Sequence, residues 1–160
     1  MESKKSSNTL NSVLFSNFVP RYRFRTGRLI HLIQTILCGL NYRGIALSVV
    51  LVSDRKMKCL NRQFLKHNRT TDVLAFPFVK SLKEKKPQVF LGEIIVSPEQ
   101  ARIRARQFHT TFQTELSRYV CHGILHLSGF RDDTLTAQNQ MRLAEDRLLW
   151  PLQKQIKSII

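Results

Sequence analysis

His122 and His126 stand four residues apart in the run Val120-Cys121-His122-Gly123-Ile124-Leu125-His126-Leu127, and Gly129 follows almost at once. On an α-helix, positions i and i+4 share a face with Cβ atoms about 5–6 Å apart, so two imidazoles at this spacing reach one metal ion. Ile124, Leu125 and Leu127 make the helix a buried one. Two imidazoles on a buried helix need partners for their polar atoms, and a metal supplies one for each. Gly129 is a natural terminator, because glycine enters the left-handed conformation without steric cost. The chain then turns and offers Asp132 or Asp133 as a third ligand, leaving a fourth position open as in catalytic zinc sites. The competing reading is a pair of core histidines with satisfied rings.

The second constraint is charge. Lys and Arg number 26 against 11 Asp and Glu, a formal net charge of +15. Such an excess favours a polyanionic partner through steering and counterion release. Nucleic acid is favoured over a membrane surface, because no basic amphipathic anchor or lipidation motif is visible; a solvated basic surface is the plain alternative. The longest apolar runs, such as Ile45 to Val52, are too short to span a bilayer. No secretory signal is expected, and Cys38, Cys59 and Cys121 are too few and too scattered for a disulfide framework. A cytoplasmic protein is expected.

Along the chain, residues 1–11 read as a disordered polar tail and 12–160 as a single domain. Val13 to Val19 suggests an edge strand closed by Pro20. Arg21, Arg23, Arg25 and Arg28 surround Tyr22 and Phe24, a basic cluster interleaved with aromatics that suits phosphate contact and base stacking. The same residues also suit an extended loop with packed rings and solvated arginines. Helical periodicity predicts an amphipathic helix over 27–39. Ile45 to Val52 reads as a buried strand, and Ser53-Asp54 caps a helix running through Lys66. Asp72 to Phe78 and Val89 to Val96 read as strands paired in a hairpin with a long loop. Ser97-Pro98 starts a helix to about 108, Thr114-Glu115 starts the histidine helix, and a last helix over 136–156 is ended or kinked by Pro151. The expected fold is α+β: a small mixed sheet packed by helices, with the histidine helix buried.

The stretch from His122 to Asp132 resembles the hallmark of the YbeY family, endoribonucleases linked to ribosomal RNA maturation, which reads His-Gly-x-Leu-His-Leu-x-Gly-Tyr-Asp-His. Thr71-Asp72-Val73-Leu74-Ala75-Phe76-Pro77-Phe78 is similar to the family's Thr-Asp-Val-Leu-Ser-Phe-Pro strand, and Leu91-Gly92-Glu93-Ile94 to its Leu-Gly-Asp-Ile strand. The resemblance covers most of 45–150. It implies one zinc ion, held in the family by three histidines, of which His122 and His126 carry over. The third histidine aligns with Asp132. An aspartate oxygen replaces imidazole at nearly equal distance, but its charge makes the metal a weaker Lewis acid. A second departure is Leu65, which stands where the family usually has an arginine thought to serve RNA processing.

The resemblance therefore implies a zinc-dependent single-strand endoribonuclease in ribosomal RNA maturation and ribosome quality control. His122, His126 and Asp132 would be its metal-binding and catalytic residues. Its partners would be precursor ribosomal RNA, the ribosome, and ribosomal or assembly proteins, with no membrane. Arg21, Arg23, Arg25, Lys66, Arg69 and Arg131 are the candidate phosphate contacts. Gly123 occupies the position where zinc proteases carry a glutamate base, which argues against protease chemistry and suggests close approach of another backbone or a substrate. Asp133 and Glu93 remain as weak candidates for a general base. A different class of function is a ribosome-associated RNA-binding assembly factor whose metal is structural.

Overall fold

Alternation of apolar side chains sets the two faces of the central sheet. The structure is a computed structural model that describes residues 10–68, 70–78 and 89–160. The described elements run β1 (Ser12–Asn17), α1 (Thr26–Gly39), β2 (Ile45–Leu51), α2 (Asp54–Leu65), β3 (Val73–Pro77), β4 (Val89–Val96), α3 (Pro98–Gln107), α4 (Phe112–Leu127), α5 (Leu135–Leu149) and α6 (Gln153–Lys157). The strand order is β1-β2-β4-β3, with β1/β2 and β2/β4 parallel and β3/β4 antiparallel. The fold is α+β with one small mixed sheet, as expected.

Leu47, Val49, Leu51, Ile94 and Val96 face the main core with α1 and α4, while Val52, Leu74 and Ile95 turn to the other side and pack with Met57 of α2. Each fully buried Leu or Ile contributes about 1.5–3 kcal/mol. Ile33, Ile36, Ile94, Ile124 and Leu125 are all fully buried, so this core dominates the stability. The expected burial of the histidine helix is observed: α4 buries nine of its sixteen residues and packs on β3, β4, α3 and α5. Ser53 and Ser97 cap α2 and α3 as expected, each accepting from the backbone N–H three residues on; such a cap contributes about 1 kcal/mol.

Two boundaries differ from the sequence reading. β1 stops at Asn17, not Val19: Asn17 Oδ1 accepts from the Val19 N–H at 2.9 Å and Nδ2 donates to the Tyr22 carbonyl at 2.7 Å. This side-chain turn bends the chain before Pro20 is reached. α4 starts at Phe112, because Thr111 is its cap and accepts from the Thr114 N–H at 3.2 Å. The last helix is broken at Pro151 as expected, into α5, a 3₁₀ turn over Trp150–Leu152 and α6. Of the tail expected over 1–11, residues 1–9 lie outside the described residues; Asn11 is buried, and its Nδ2 donates to the Tyr42 carbonyl at 3.0 Å. No helix among the described residues is long and apolar enough to cross a membrane.

Two glycines set how closely the layers approach. A Cβ on Gly123 would lie 2.9 Å from Ile94 Cγ2 and 3.1 Å from Val73 Cγ2, so α4 lies against the sheet at this residue. Gly92 has φ +153°, and a Cβ there would lie 2.4 Å from the Phe76 carbonyl oxygen. It sits beside the register shift between β2 and β4. Gly92→Ala is expected to destabilise the protein by about 3 kcal/mol, combining backbone strain with a clash against a main-chain atom. Urea unfolding would show this as a lower midpoint at unchanged slope; an unshifted midpoint would contradict it.

Candidate metal centre

The last turns of α4 and the loop after it assemble the site. Gly129 adopts φ +94° with open space around its Cα, so its role is conformational rather than steric. Its N–H bonds to the His126 carbonyl and that of Phe130 to the Leu125 carbonyl, each at 3.0 Å, closing the helix. The reversed chain brings the Phe130 carbonyl to His126 Nδ1 at 3.1 Å and places Asp132 Oδ2 3.5 Å from the Nε2 atoms of both histidines. Asp133 is turned away, its carboxylate paired with Arg131 Nη2 at 2.5 Å. The choice the sequence left open between the two aspartates falls, in geometry, on Asp132.

The hydrogen bonds decide which nitrogens are available. A carbonyl oxygen only accepts, so His126 Nδ1 carries the proton toward Phe130. Glu145 lies 2.7 Å from His122 Nδ1 and, as a carboxylate, also accepts. Both Nε2 atoms are thereby left with lone pairs, facing each other at 2.9 Å beside an aspartate oxygen. Three acceptors converging in this way need a cation between them. Burial lowers the His122 pKa, but the hydrogen bond and charge of Glu145, with smaller help from Asp72 and Asp132, outweigh it and leave the pKa raised.

The donor set fits a metal ion. The three ligand-atom separations of 2.9, 3.5 and 3.5 Å bracket the edge of about 3.3 Å expected for a tetrahedron with metal–ligand bonds of about 2.0–2.1 Å. Glu145 and the Phe130 carbonyl are the outer partners that fix tautomer and ring orientation. Glu145 is itself held by Arg118, whose Nη1 donates to Oε2 at 2.8 Å while Nη2 reaches Asp146 at 3.0 Å. Cys121 is adjacent but takes no part: burial, then the Glu145 charge, push its thiol up to about 12.

His122 and Asp132 open onto a cleft of about 570 Å³ in which five carboxylates (Asp72, Glu115, Asp132, Glu145, Asp146) meet three arginines (Arg104, Arg118, Arg142). On the other side His126 borders an apolar groove of about 320 Å³ along β3, walled by Leu65, Phe76 and Leu127. Leu65, the position of the family's usual arginine, therefore lies by the site but brings no charge to it.

The remaining candidates scatter. Arg131 is committed to Asp133, and Arg21 is ion-paired with Glu99. Arg23 and Arg25 are exposed in the loop before α1. That loop packs through Tyr22 on Phe112 at the start of α4, about 15 Å along the helix from His122. Lys66 is exposed at the end of α2, next to Leu65, and Arg69 lies outside the described residues. Glu93 is removed from the site: its neighbours Gly92 and Ile94 meet α4, so it points to the opposite face, where Ser48 Oγ donates to it at 2.8 Å. Gly123 is filled against by sheet side chains, which accounts for it as a packing residue. Sequence reasoning missed Glu145 and Arg118. Glu145 was detectable as an acid between Met141 and Leu149 on the buried stripe of α5.

The fold and the histidine–aspartate group together define a small α+β domain with a candidate metal site. The comparisons narrow this. The family model for "Endoribonuclease YbeY" matches residues 21–153. Proteins named "Endoribonuclease YbeY" include one from Thermodesulfovibrio yellowstonii, 39% identical over 66% of this chain and 65% of its own length. Another, from Salinibacter ruber, is 34% identical over 81% of this chain and 85% of its own length. A third, from Endomicrobium trichonymphae, is 28% identical over 91% and 94%. The match spans 40% of a longer relative from Myxococcus xanthus. The solution structure of a Thermotoga maritima protein superposes with a TM-score of 0.56 at 26% identity, covering 89% of this chain and 92% of that one. The chain belongs to the YbeY endoribonuclease family.

The orientation of His122 by Glu145 is directly measurable. In metal-free protein, NMR titration is expected to place the His122 pKa above the ordinary histidine value, and Glu145→Gln is expected to lower it. An unchanged titration in the variant would show that Glu145 does not set this ring.

Proposed function

We propose that this chain is a zinc-dependent endoribonuclease that hydrolyses phosphodiester bonds of single-stranded RNA, acting in ribosomal RNA maturation and quality control in the cytoplasm. The observation that carries the reading is the convergence of two acceptor imidazole nitrogens and one carboxylate at a solvent-open cleft. Family membership supports the reaction class, and the +15 charge supports a polyanionic substrate. His122, His126 and Asp132 hold the ion. When bound, zinc supplies Lewis acidity toward a phosphoryl oxygen and acidifies water.

The chain's own residues do the rest. Glu145 and the Phe130 carbonyl keep both Nδ1 atoms protonated and both Nε2 atoms available. Arg118 holds Glu145 in place and offsets its charge. Arg104 and Arg142 line the cleft and are placed to meet phosphate oxygens. Arg131, next to Asp132 in the chain but paired with Asp133, and the exposed Lys66 at the end of α2 are further candidates for contact with the strand. The precursor ribosomal RNA, the ribosome and its proteins are the partners that family membership favours.

The second reading is an RNA-binding assembly factor with a structural metal. It is favoured by the commitment of two acids near the metal ligands: Glu145 serves His122 and Arg118, and Asp133 serves Arg131. Against it, structural zinc sites are closed, whereas the side chain of Asp132 is 48% exposed. Exposure of a ligand to solvent favours the enzyme.

Purified protein is expected to carry near-stoichiometric zinc by elemental mass spectrometry and to lose it in Asp132→Ala. Cleavage of single-stranded RNA is expected to stop with chelator, return with zinc, and fall by about 100-fold or more in His126→Ala. RNA bound but left intact by the zinc-loaded protein would select the assembly factor instead.

A further inference from the structure

Outside the cleft, a basic groove lies on the other flank of α3. Arg102 and Arg106, at i and i+4 on α3, and His109, just past the end of that helix, line a groove of about 560 Å³ completed by Ala105, Thr110 and Phe112. None of these lining residues is acidic. Among the described residues, neither Arg102 nor Arg106 has a carboxylate within ion-pair distance, whereas Arg21, Arg118 and Arg131 are all paired.

Arg102 is ordered by rings instead. Its guanidinium lies 5.3 Å from the Tyr22 ring centre and 5.6 Å from that of Phe112, and the two rings stack at 5.2 Å. The two rings hold the guanidinium charge beside them, and among the described residues no carboxylate competes for its N–H donors. Arg106 follows about 6 Å further along the helix axis.

The groove and the cleft share α3 as their common wall. Arg104, stacked over Phe108 at 4.5 Å, faces the cleft of His122 from the same helix. A strand passing from the groove over α3 would meet Arg104 and Phe108 at the wall of the cleft that His122 lines. The cleft, lined by five carboxylates and three arginines, is poorly suited to supplying backbone affinity by itself. The groove carries two arginines and no acid, which suits the phosphate backbone of a strand that continues into the cleft.

We infer that the Arg102–Arg106–His109 groove is a subsite for the phosphate backbone of single-stranded RNA, holding the strand on one flank of α3 while its continuation enters the His122–His126–Asp132 cleft. This rests on the endoribonuclease reading for the role of the cleft, but it is tested by binding alone.

Binding of zinc-loaded protein to single-stranded RNAs of about 4 and about 16 nucleotides would be measured by fluorescence anisotropy across a salt series, with RNA integrity checked on gels. Arg102→Glu combined with Arg106→Glu is expected to weaken the longer RNA at least about 10-fold and to flatten its salt slope by about 1.4, for two phosphates at about 0.7 each. The short RNA is expected to bind and react as before. Arg106→Glu alone, which touches no ring stack, is expected to give about half of the slope change and guards against misfolding of the double variant. Arg55→Glu with Lys58→Glu, the same charge change on α2, is expected to have little effect. Equal losses for both RNA lengths, equal losses in the α2 variant, or no binding of the longer RNA by the parent would each overturn the groove. If the parent binds the longer RNA through the groove but cleaves neither, the nuclease reading fails while the groove stands.

Discussion

The contact between Gly123 and the side chains of Ile94 and Val73 is the constraint on which the rest of the site depends. An α-helix normally stands off a sheet by the thickness of its side chains. Here one residue without a Cβ removes that spacer at the centre of the interface, and α4 settles onto β3 and β4. His122 and His126 flank this contact in sequence, and their shared face is carried past the sheet to the margin of the core. They are partly exposed while Ile124 and Leu125, on the same helix, are fully buried. The rings are thus stiffly mounted yet reachable from solvent. Gly129 then reverses the chain over the same short distance, so Asp132 closes on the histidines from a loop tied to the helix it follows. Rigid mounting of ligands on a packed helix is what a metal site requires.

Charge is distributed against the average. The chain as a whole carries +15, yet the cleft at the histidines gathers five carboxylates. Glu145 is the central one. Burying a carboxylate is costly unless it is paired, and Glu145 is paired twice, through Arg118 and through His122. This arrangement makes the two imidazoles donors on one side and acceptors on the other, and it biases the space between them toward positive charge. A polyanionic substrate is repelled by such a cleft until a cation occupies it. The proposed groove offers such a substrate arginines that, among the described residues, have no carboxylate within ion-pair distance.

Much of the fold was legible in the sequence because periodicity and punctuation agreed. β2 and β4 read as strands from their β-branched runs, α2 and α3 from their serine caps, and the break at Pro151 from backbone chemistry alone. The strand end at Asn17 was missed because a side-chain turn stopped β1 while apolar residues continued to Val19. At the site, the two histidines and Asp132 lie within eleven residues and share local geometry, so their convergence could be foreseen. Glu145 and Arg118 could not be joined to them: His122 and Glu145 are 23 residues apart, and only the docking of α5 on α4 brings them together. The phosphate contacts were hardest to place. Arginines are chosen by the surface they create, and Arg21, Arg23 and Arg25 look alike in sequence to the α3 arginines that line the cleft and the groove.

Asp132 and Leu65 are both departures from the family pattern, and they act in the same direction. A carboxylate in place of a third imidazole cancels one unit of the positive charge that a divalent ion brings to the cleft. A leucine in place of an arginine withholds another from the groove beside His126. The immediate surroundings of the site are therefore about two charges less positive than in a relative with histidine and arginine at these positions. Arg104, Arg118 and Arg142 are the arginines left in the cleft, and Arg118 is already committed to Glu145 and Asp146. That leaves Arg104 and Arg142 to face a phosphate at the cleft itself. Arg104 belongs to the same helix as Arg102 and Arg106, so in this chain α3 is where charge withheld at the metal centre can be restored along the path of the strand.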